Sequence, residues 1–469
     1  MLSLARVFVG RAGALVLAAP LLLAGVVPAP AATVRHAMTP AVESESQFEL
    51  ISDFQADALP PLPCLHSTPI GCFGADTLRT AYAIKPVLDL NTDGSGRTIV
   101  IIDAFQNLTI DTDLAQFDGY WGIPAPLKFT VVKPFGVPTF DPTNSLHVGW
   151  SREISIDVEW AHAVAPGAAL VLVEAKSEAD TDLLDATSYA IRHNLGDVIT
   201  LSFGEAEGCA APGVLARQHA AFRAASERGI TVIASSGDKG ATRQSCDGSS
   251  LLLSASTPAS DPYVTGVGGT RLLADGTGAY LSESAWNSGD CNIRSGASGG
   301  GFSTVYRRPG YQAKADENQK SRGVPDVAYN ADGSTGFLAV WNGRGALVHG
   351  TSAGAPQWAG IAALADQVAG HRLGTLNQRL YRIAKSDAYG SAFHDITTGD
   401  NTFCGIAGYS TGPGWDPVTG LGSPQVATLV GLLARNDEGE QDGQHGGESG
   451  GGNGGNGGNG GNEGDAGGD

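Results

Sequence analysis

The chain has 469 residues, a formal net charge of −19, 42% hydrophobic and only 16% charged residues, and 66 glycines. So acidic a surface repels phosphate backbones and excludes a nucleic-acid binder. The apolar stretch 14–27 is short for a membrane span, so no membrane association is expected once that stretch is cleaved away.

Residues 1–31 read as an export signal, with Arg6 and Arg11 before the apolar stretch and the small-residue site Ala29-Pro30-Ala31 after it. Residues 32–75 form a short N-terminal segment, and 76–436 one large domain, long enough to bury a sizeable core. Residues 437–469 are a Gly/Asn repeat with eight acidic residues and no Lys or Arg. Such a tail buries no core and is expected to be disordered.

Within the domain, strand-like runs at 97–103, 169–173 and 197–203 alternate with helical runs at 183–193 and 213–228. The alternation predicts an α/β fold: a mostly parallel sheet with helices on both faces and reactive groups at the carboxyl ends of strands. Six cysteines in an exported chain favour disulfides over metal or redox roles. Fifteen pairings are possible; the shortest loops suggest Cys64–Cys72 and Cys209–Cys246, leaving Cys291 with Cys404.

From Glu153 onward, apolar residues recur at helical spacing until Pro166-Gly167 stops them. That spacing sets Glu153 and Asp157 on one face, one turn apart. Like charges so close titrate as a unit with at least one raised pKa, so the pair can hold a shared proton and still act as base for a serine in acid, where histidine is protonated. The same spacing is otherwise the mark of a solvated helix face. Further on, a β-rich run from Thr231 breaks at Ser236-Gly237-Asp238; a protonated carboxyl there can donate to a developing oxyanion, although Asp in a glycine turn is ordinarily turn chemistry. In His349-Gly350-Thr351-Ser352, a serine follows a permissive turn and opens a buried apolar helix, where free N–H groups and the positive helix end converge. An N-capping serine is the plain alternative.

The combination, supported by segments 198–204, 256–270, 298–303 and 322–328 in order, resembles the sedolisins, the serine-carboxyl peptidase family. The resemblance implies a subtilisin-like single large domain, Ser352 as nucleophile, Glu153 as general base, Asp157 as the carboxylate that orients it, and Asp238 in the oxyanion hole. It also implies one Ca2+, held by the Asp395 and Asp416 side chains and the Ile396, Gly412 and Gly414 carbonyls. Calcium takes six or more hard oxygens, and glycine turns present carbonyls at little steric cost. The function so implied is a secreted peptidase acting on proteins or peptides at acidic pH through an acyl-enzyme, expected to be a monomer, with endopeptidase or tripeptidyl-peptidase mode and cleavage preference open. Sedolisins are commonly made with a large folded pro-domain, and residues 32–75 are short for one.

Two other readings stand beside it. Asp103, ending a strand, would suit a subtilisin-type Ser-His-Asp peptidase, but that needs a histidine in a His-Gly-Thr-like segment between Asp103 and Ser352, and His147, His162, His193 and His219 lack that context. A catalytically inactive sedolisin-like binding protein is the other. Asn107-Leu108-Thr109 fits a glycosylation sequon or a plain loop, Trp150, Trp160 and His162 fit substrate pockets or packing, and the glycines of 298–301 fit close approach of a substrate backbone.

Overall fold

The computed structural model describes residues 42–44, 47–51, 63–289, 291–292, 295–313 and 319–435. The expected export signal, residues 1–31, and the acidic stretch 437–469 lie outside these. The elements that frame the site are, in chain order, β1 (Glu43–Ser44), β2 (Gln47–Leu50), β3 (Thr98–Ala104), β4 (Phe129–Val132), α1 (Ser145–Val164), β5 (Ala169–Ala175), α2 (Asp180–Arg192), β6 (Val198–Leu201), β7 (Phe203–Ala206), α3 (Pro212–Glu227), β8 (Thr231–Ser235), β9 (Thr265–Ala274), β10 (Tyr280–Ala285), β11 (Val327–Asn330), β12 (Gly336–Trp341), β13 (Arg344–His349) and α4 (Thr351–Ala369).

The main sheet runs β10-β9-β8-β6-β3-β5-β4, with β11 also paired to β9. Its pairings are parallel except for β10. Such strands are buried on both sides, which is why residues 99–102 are an unbroken apolar run. Alternation then separates two cores. Ile99, Ile101, Leu170 and Leu172 join Ile154 and Trp160 of α1 and Trp358 of α4. Val100, Ile102, Val171 and Val173 join Leu183 of α2 and Phe222 of α3 on the other side. Helices therefore cover both faces, as the sequence predicts.

The expected strand over 197–203 is corrected in one respect. The ladder of β6 ends at Leu201, and β7 resumes at Phe203 in a different, antiparallel sheet. Ser202 stands at the break, and its hydroxyl bonds to α4 instead of facing a neighbouring strand.

α1 starts where the Asn144 side chain accepts the Leu146 amide at 2.9 Å, an N-cap that satisfies one free helix donor. From Glu153 to Val164 every residue is buried, so this helix has no solvated face there. α4 opens at Gly350, whose φ of 128° and ψ of 163° only glycine adopts readily. The two helices close against each other at Gly360, where an added Cβ would sit 2.6 Å from the Val164 Cβ. That contact fixes the serine helix on the carboxylate helix.

The disulfides are Cys64–Cys72, Cys209–Cys246 and Cys291–Cys404, the pairing suggested by loop length. No described helix is long and apolar enough to cross a membrane.

Candidate active site

Three strand ends and two helices converge. Asp103 is near the carboxyl end of β3, Ser202 follows β6 and Asp238 follows β8, while Glu153 and Asp157 lie on α1 and Ser352 in the first turn of α4. All six are buried.

Ser352 and Ser202 are cross-bonded: the Ser352 hydroxyl donates to the Ser202 carbonyl at 3.4 Å, and the Ser202 hydroxyl donates to the Ser352 carbonyl at 3.3 Å. Pro356 explains the second bond. Inside a helix, proline has no N–H for the carbonyl one turn back, which here is that of Ser352. A buried carbonyl deprived of its helical donor needs another, and the Ser202 hydroxyl supplies it.

Asp157 has its pKa pushed well above the ordinary carboxylate range, first by burial, then by the charges of Asp103 and Glu153, with the nearby Ser202 hydroxyl pulling the other way. Asp103 is raised likewise, by burial and then by Glu153 and Glu174. The pair expected on α1 is thus a cluster of three mutually repelling carboxyls, which favours retained protons. Asp103, considered only for the histidine-dependent alternative, belongs to this cluster; its signal in the sequence was a buried-strand terminus ending in a carboxylate.

Asp238 lies at the other side of the serine. Its Oδ1 accepts from the Thr351 amide and the Thr351 hydroxyl, both at 2.8 Å, while that hydroxyl also accepts the Gly237 amide at 3.0 Å. Asp238 is therefore tied to the residue that precedes Ser352, at the amino end of α4. The 298–301 glycines brace this turn: Gly299 donates to Gly237 at 2.6 Å, Ser236 donates to Gly299 at 2.6 Å, and a Cβ on Gly299 would lie 2.2 Å from the Ser236 carbonyl.

The four histidines weighed for the alternative are engaged elsewhere. His147 accepts the Asp141 amide, His162 meets Pro124 and Asp118, His193 stacks on Tyr189 and His219 pairs with Asp261. His349 has its pKa lowered by burial, against the opposing charges of Asp332 and Glu49. Trp160 packs against Phe117 and Phe337 in the core. Asn107 is buried, donating to the Ser151 carbonyl at 3.0 Å and the Ser155 hydroxyl at 2.9 Å, so it braces α1 on both sides of Glu153 instead of presenting itself at the surface.

The metal-ligand candidates also come together. Asp395 accepts the Gly414 amide at 2.9 and 3.1 Å, and Asp416 accepts the Gly412 amide at 3.2 Å, so both carboxylates close on one glycine turn. Ile396 follows Asp395 in the chain and is buried. Burial pushes Asp416 up to about 6, against bonds from Thr419, Val418 and Gly412. Two carboxylates beside a glycine turn fit a hard cation completed by backbone oxygens and water. Among the described residues no group of three or more His, Cys, Asp or Glu forms a metal site, so an ion here would rest on those two carboxylates and carbonyls.

The subtilase family's profile matches residues 150–384. Kumamolisin of Bacillus sp. (strain MN-32) is 37% identical over 353 residues, covering 73% of this chain and 60% of its own. Sedolisin of Pseudomonas sp. (strain 101) is 34% identical over 274 residues, 57% of this chain and 46% of its own. The chain thus spans less than two thirds of these relatives' length. In three dimensions, the structure of Pseudomonas sedolisin, a serine-carboxyl proteinase complexed with two molecules of pseudo-iodotyrostatin, superposes with a TM-score of 0.69 at 28% identity, covering 78% of this chain and 98% of that one.

Proposed function

We propose that this chain, which belongs to the subtilase family and within it to the sedolisins, is a secreted serine-carboxyl peptidase that hydrolyses protein or peptide substrates at acidic pH. The observation that carries this reading is the placing of Ser352, cross-bonded to Ser202, beside a buried carboxyl cluster of Asp157, Glu153 and Asp103, with the histidines weighed for the alternative held elsewhere. In acid a neutral histidine base is scarce, whereas a crowded carboxyl cluster keeps one ionised member able to accept a proton.

In the proposed reaction the Ser352 hydroxyl leaves its long, weak bond to the Ser202 carbonyl and attacks the peptide carbonyl. Glu153 takes its proton and becomes neutral while the negative charge passes to the oxyanion, Asp157 orients Glu153, and the amine departs with the proton that Glu153 returns. Water then cleaves the ester. Asp238, protonated, donates to the oxyanion beside the amino end of α4.

Calcium is proposed at Asp395 and Asp416, with the Ile396, Gly412 and Gly414 carbonyls. When bound, it supplies a fixed charge that pins the glycine turn, and no step of the hydrolysis passes through it. The three disulfides support secretion into an oxidising medium. A peptide-aldehyde or fluorophosphonate label tests the site. Modification of Ser352, absent in Ser352→Ala, supports an activated nucleophile, and an unreactive serine in the folded chain at every pH overturns it.

A further inference from the structure

A row of polar side chains crosses the main sheet at the carboxyl ends of its strands. Asp103 of β3 is the register partner of Glu174 of β5. The pairing of Val132 with Val173 sets Lys133, just past β4, beside Glu174, and the pairing of Ile102 with Leu201 sets Ser202 beside Asp103. Alternation puts Asp103 and Glu174 on the face of Ile101 and Leu172, which join Ile154 and Trp160 of α1. The row Lys133, Glu174, Asp103, Ser202 thus runs from the edge strand β4 to the serine pair, on the face covered by the helix that carries Glu153 and Asp157.

The outer end of the row is an ion pair. The Lys133 ammonium lies 2.8 Å from a Glu174 carboxylate oxygen, with the lysine side chain 39% exposed and the glutamate side chain 1%. The ammonium also donates to the Gln106 side-chain carbonyl at 2.8 Å, and Gln106 is anchored in turn by donating to the Pro138 carbonyl at 2.6 Å. A cation held in one place acts on what is buried behind it, because low-dielectric surroundings weaken its field less than water does. Lys133 and Asp103 face Glu174 from the neighbouring strands, Glu153 of α1 and Glu174 face Asp103, and Asp103 and Glu153 face Asp157. Lys133 is therefore the positive end of a line of carboxyls that leads to the site. Burial raises the pKa of Glu174, and Lys133 pulls it back.

We propose that Lys133 and Glu174 are positioning residues for the peptidase reaction: through Asp103 they set the charge on the carboxyl cluster that serves Ser352. The proposal rests on the peptidase reading above and adds how the base stays ionised in acid. Carboxyls crowded in one buried place oppose every ionisation among them. A fixed cation at the end of the line offsets the first, so that one member gives up its proton and Glu153 is able to take the serine's. As pH rises, a further proton leaves from the lysine end, where Glu174 is paired, and the new charge holds the proton on Asp103. Both residues act through the carboxyls, at a distance from the bond that is cut. An ion pair that merely tied β4 to β5 would leave the pH dependence of turnover where it is.

The test is the pH profile of kcat/KM of the full chain on labelled casein from about pH 2 to 7, whose acid limb reports ionisation of the base in the free enzyme. Lys133→Met keeps the stem and removes the charge, so its acid limb should move up by about 0.5–1 pH unit with KM nearly unchanged. Lys133→Gln, which retains a donor for Gln106, takes its place if melting curves show the methionine variant unfolded. Lys133→Arg keeps the charge and should keep the parental limb. Glu174→Gln leaves the lysine and an acceptor for it while deleting a negative charge, so its limb should stay at the parental position or fall below it. Loss of packing has no such sign. A limb that stays parental when the lysine charge is removed, one displaced as far by Lys133→Arg as by Lys133→Met, or one moved upward by Glu174→Gln overturns the proposal. Casein cleavage that disappears in Ser352→Ala leaves the peptidase reading standing in each of those cases. A parent that cleaves at no pH removes both.

Discussion

Ser202 and Ser352 exchange hydrogen bonds, each hydroxyl donating to the other's carbonyl, at 3.3 and 3.4 Å. The arrangement follows from Pro356, which strips the Ser352 carbonyl of its helical donor. Ser202→Ala leaves that buried carbonyl without the hydroxyl and removes a polar neighbour of Asp157. An unsatisfied buried acceptor costs about 1–3 kcal/mol, so the variant should melt several degrees lower and turn over more slowly. Calorimetry and a kcat measurement check both, and unchanged values would mean that the serine pair is incidental.

Asp238 allows its proton to be tested separately from its position. Asp238→Ala should lose about 2–4 kcal/mol of transition-state stabilisation, the scale of one oxyanion donor. Asp238→Asn keeps an acceptor for Thr351 and carries N–H donors at every pH. Its activity should therefore fall less steeply towards neutrality than that of the parent. A neutral-side limb that does not move on Asn substitution would show that another group sets it.

Stability should decline as pH rises. Glu205 is pushed up to about 8 by burial and then by Asp180, and Asp366 up to about 7, chiefly by burial. Asp103, Asp157, Glu159, Glu174 and Glu283 are raised as well, in each case first by burial. A carboxyl whose folded pKa is raised stabilises fully below its unfolded value, near 4, and loses that contribution as pH climbs through the folded value. The melting temperature should thus be higher at pH 4 than at pH 8, by about 5 °C or more. A protein that melts higher at pH 8 would contradict the burial of these groups as protonated acids.

Much of this arrangement is legible in the sequence, and what is not has identifiable causes. The alternation of apolar runs marked the parallel sheet, and Pro166-Gly167 marked the end of α1. Glycine and serine types flagged the Ser352 and Asp238 turns. The break at Ser202 was hidden because residues 197–203 form one uniform β-like run, and only the contact with α4 interrupts it. Asp103 was hidden because its neighbours Glu153 and Glu174 are brought to it by sheet and helix packing. Asn107 looked like a surface sequon because its burial against Ser151 and Ser155 is tertiary.

Calcium, on this account, stabilises the fold. An ion bound only by the native state adds about 2.7 kcal/mol at a hundredfold excess over Kd. Chelation at mildly acidic pH should lower the melting temperature, and so should Asp416→Ala, which also frees the Gly412, Val418 and Thr419 amides now bonded to that carboxylate. Chelation should have no further effect on the variant. Two further results would count against an ion at this turn: identical melting of the parent with and without chelator, or equal sensitivity of Asp416→Ala to chelator.

The central claim is that a carboxylate cluster, and no histidine, activates Ser352. The direct measurement is hydrolysis of a denatured protein from pH 2 to 9 by the parent and by Ser352→Ala, Glu153→Gln and Asp157→Asn, each first shown to be folded by circular dichroism. The account predicts a parent optimum in acid and loss of nearly all turnover in all three variants, because the three groups act as one unit. Near-parental activity in Glu153→Gln, or a parent optimum above about pH 8, would contradict it.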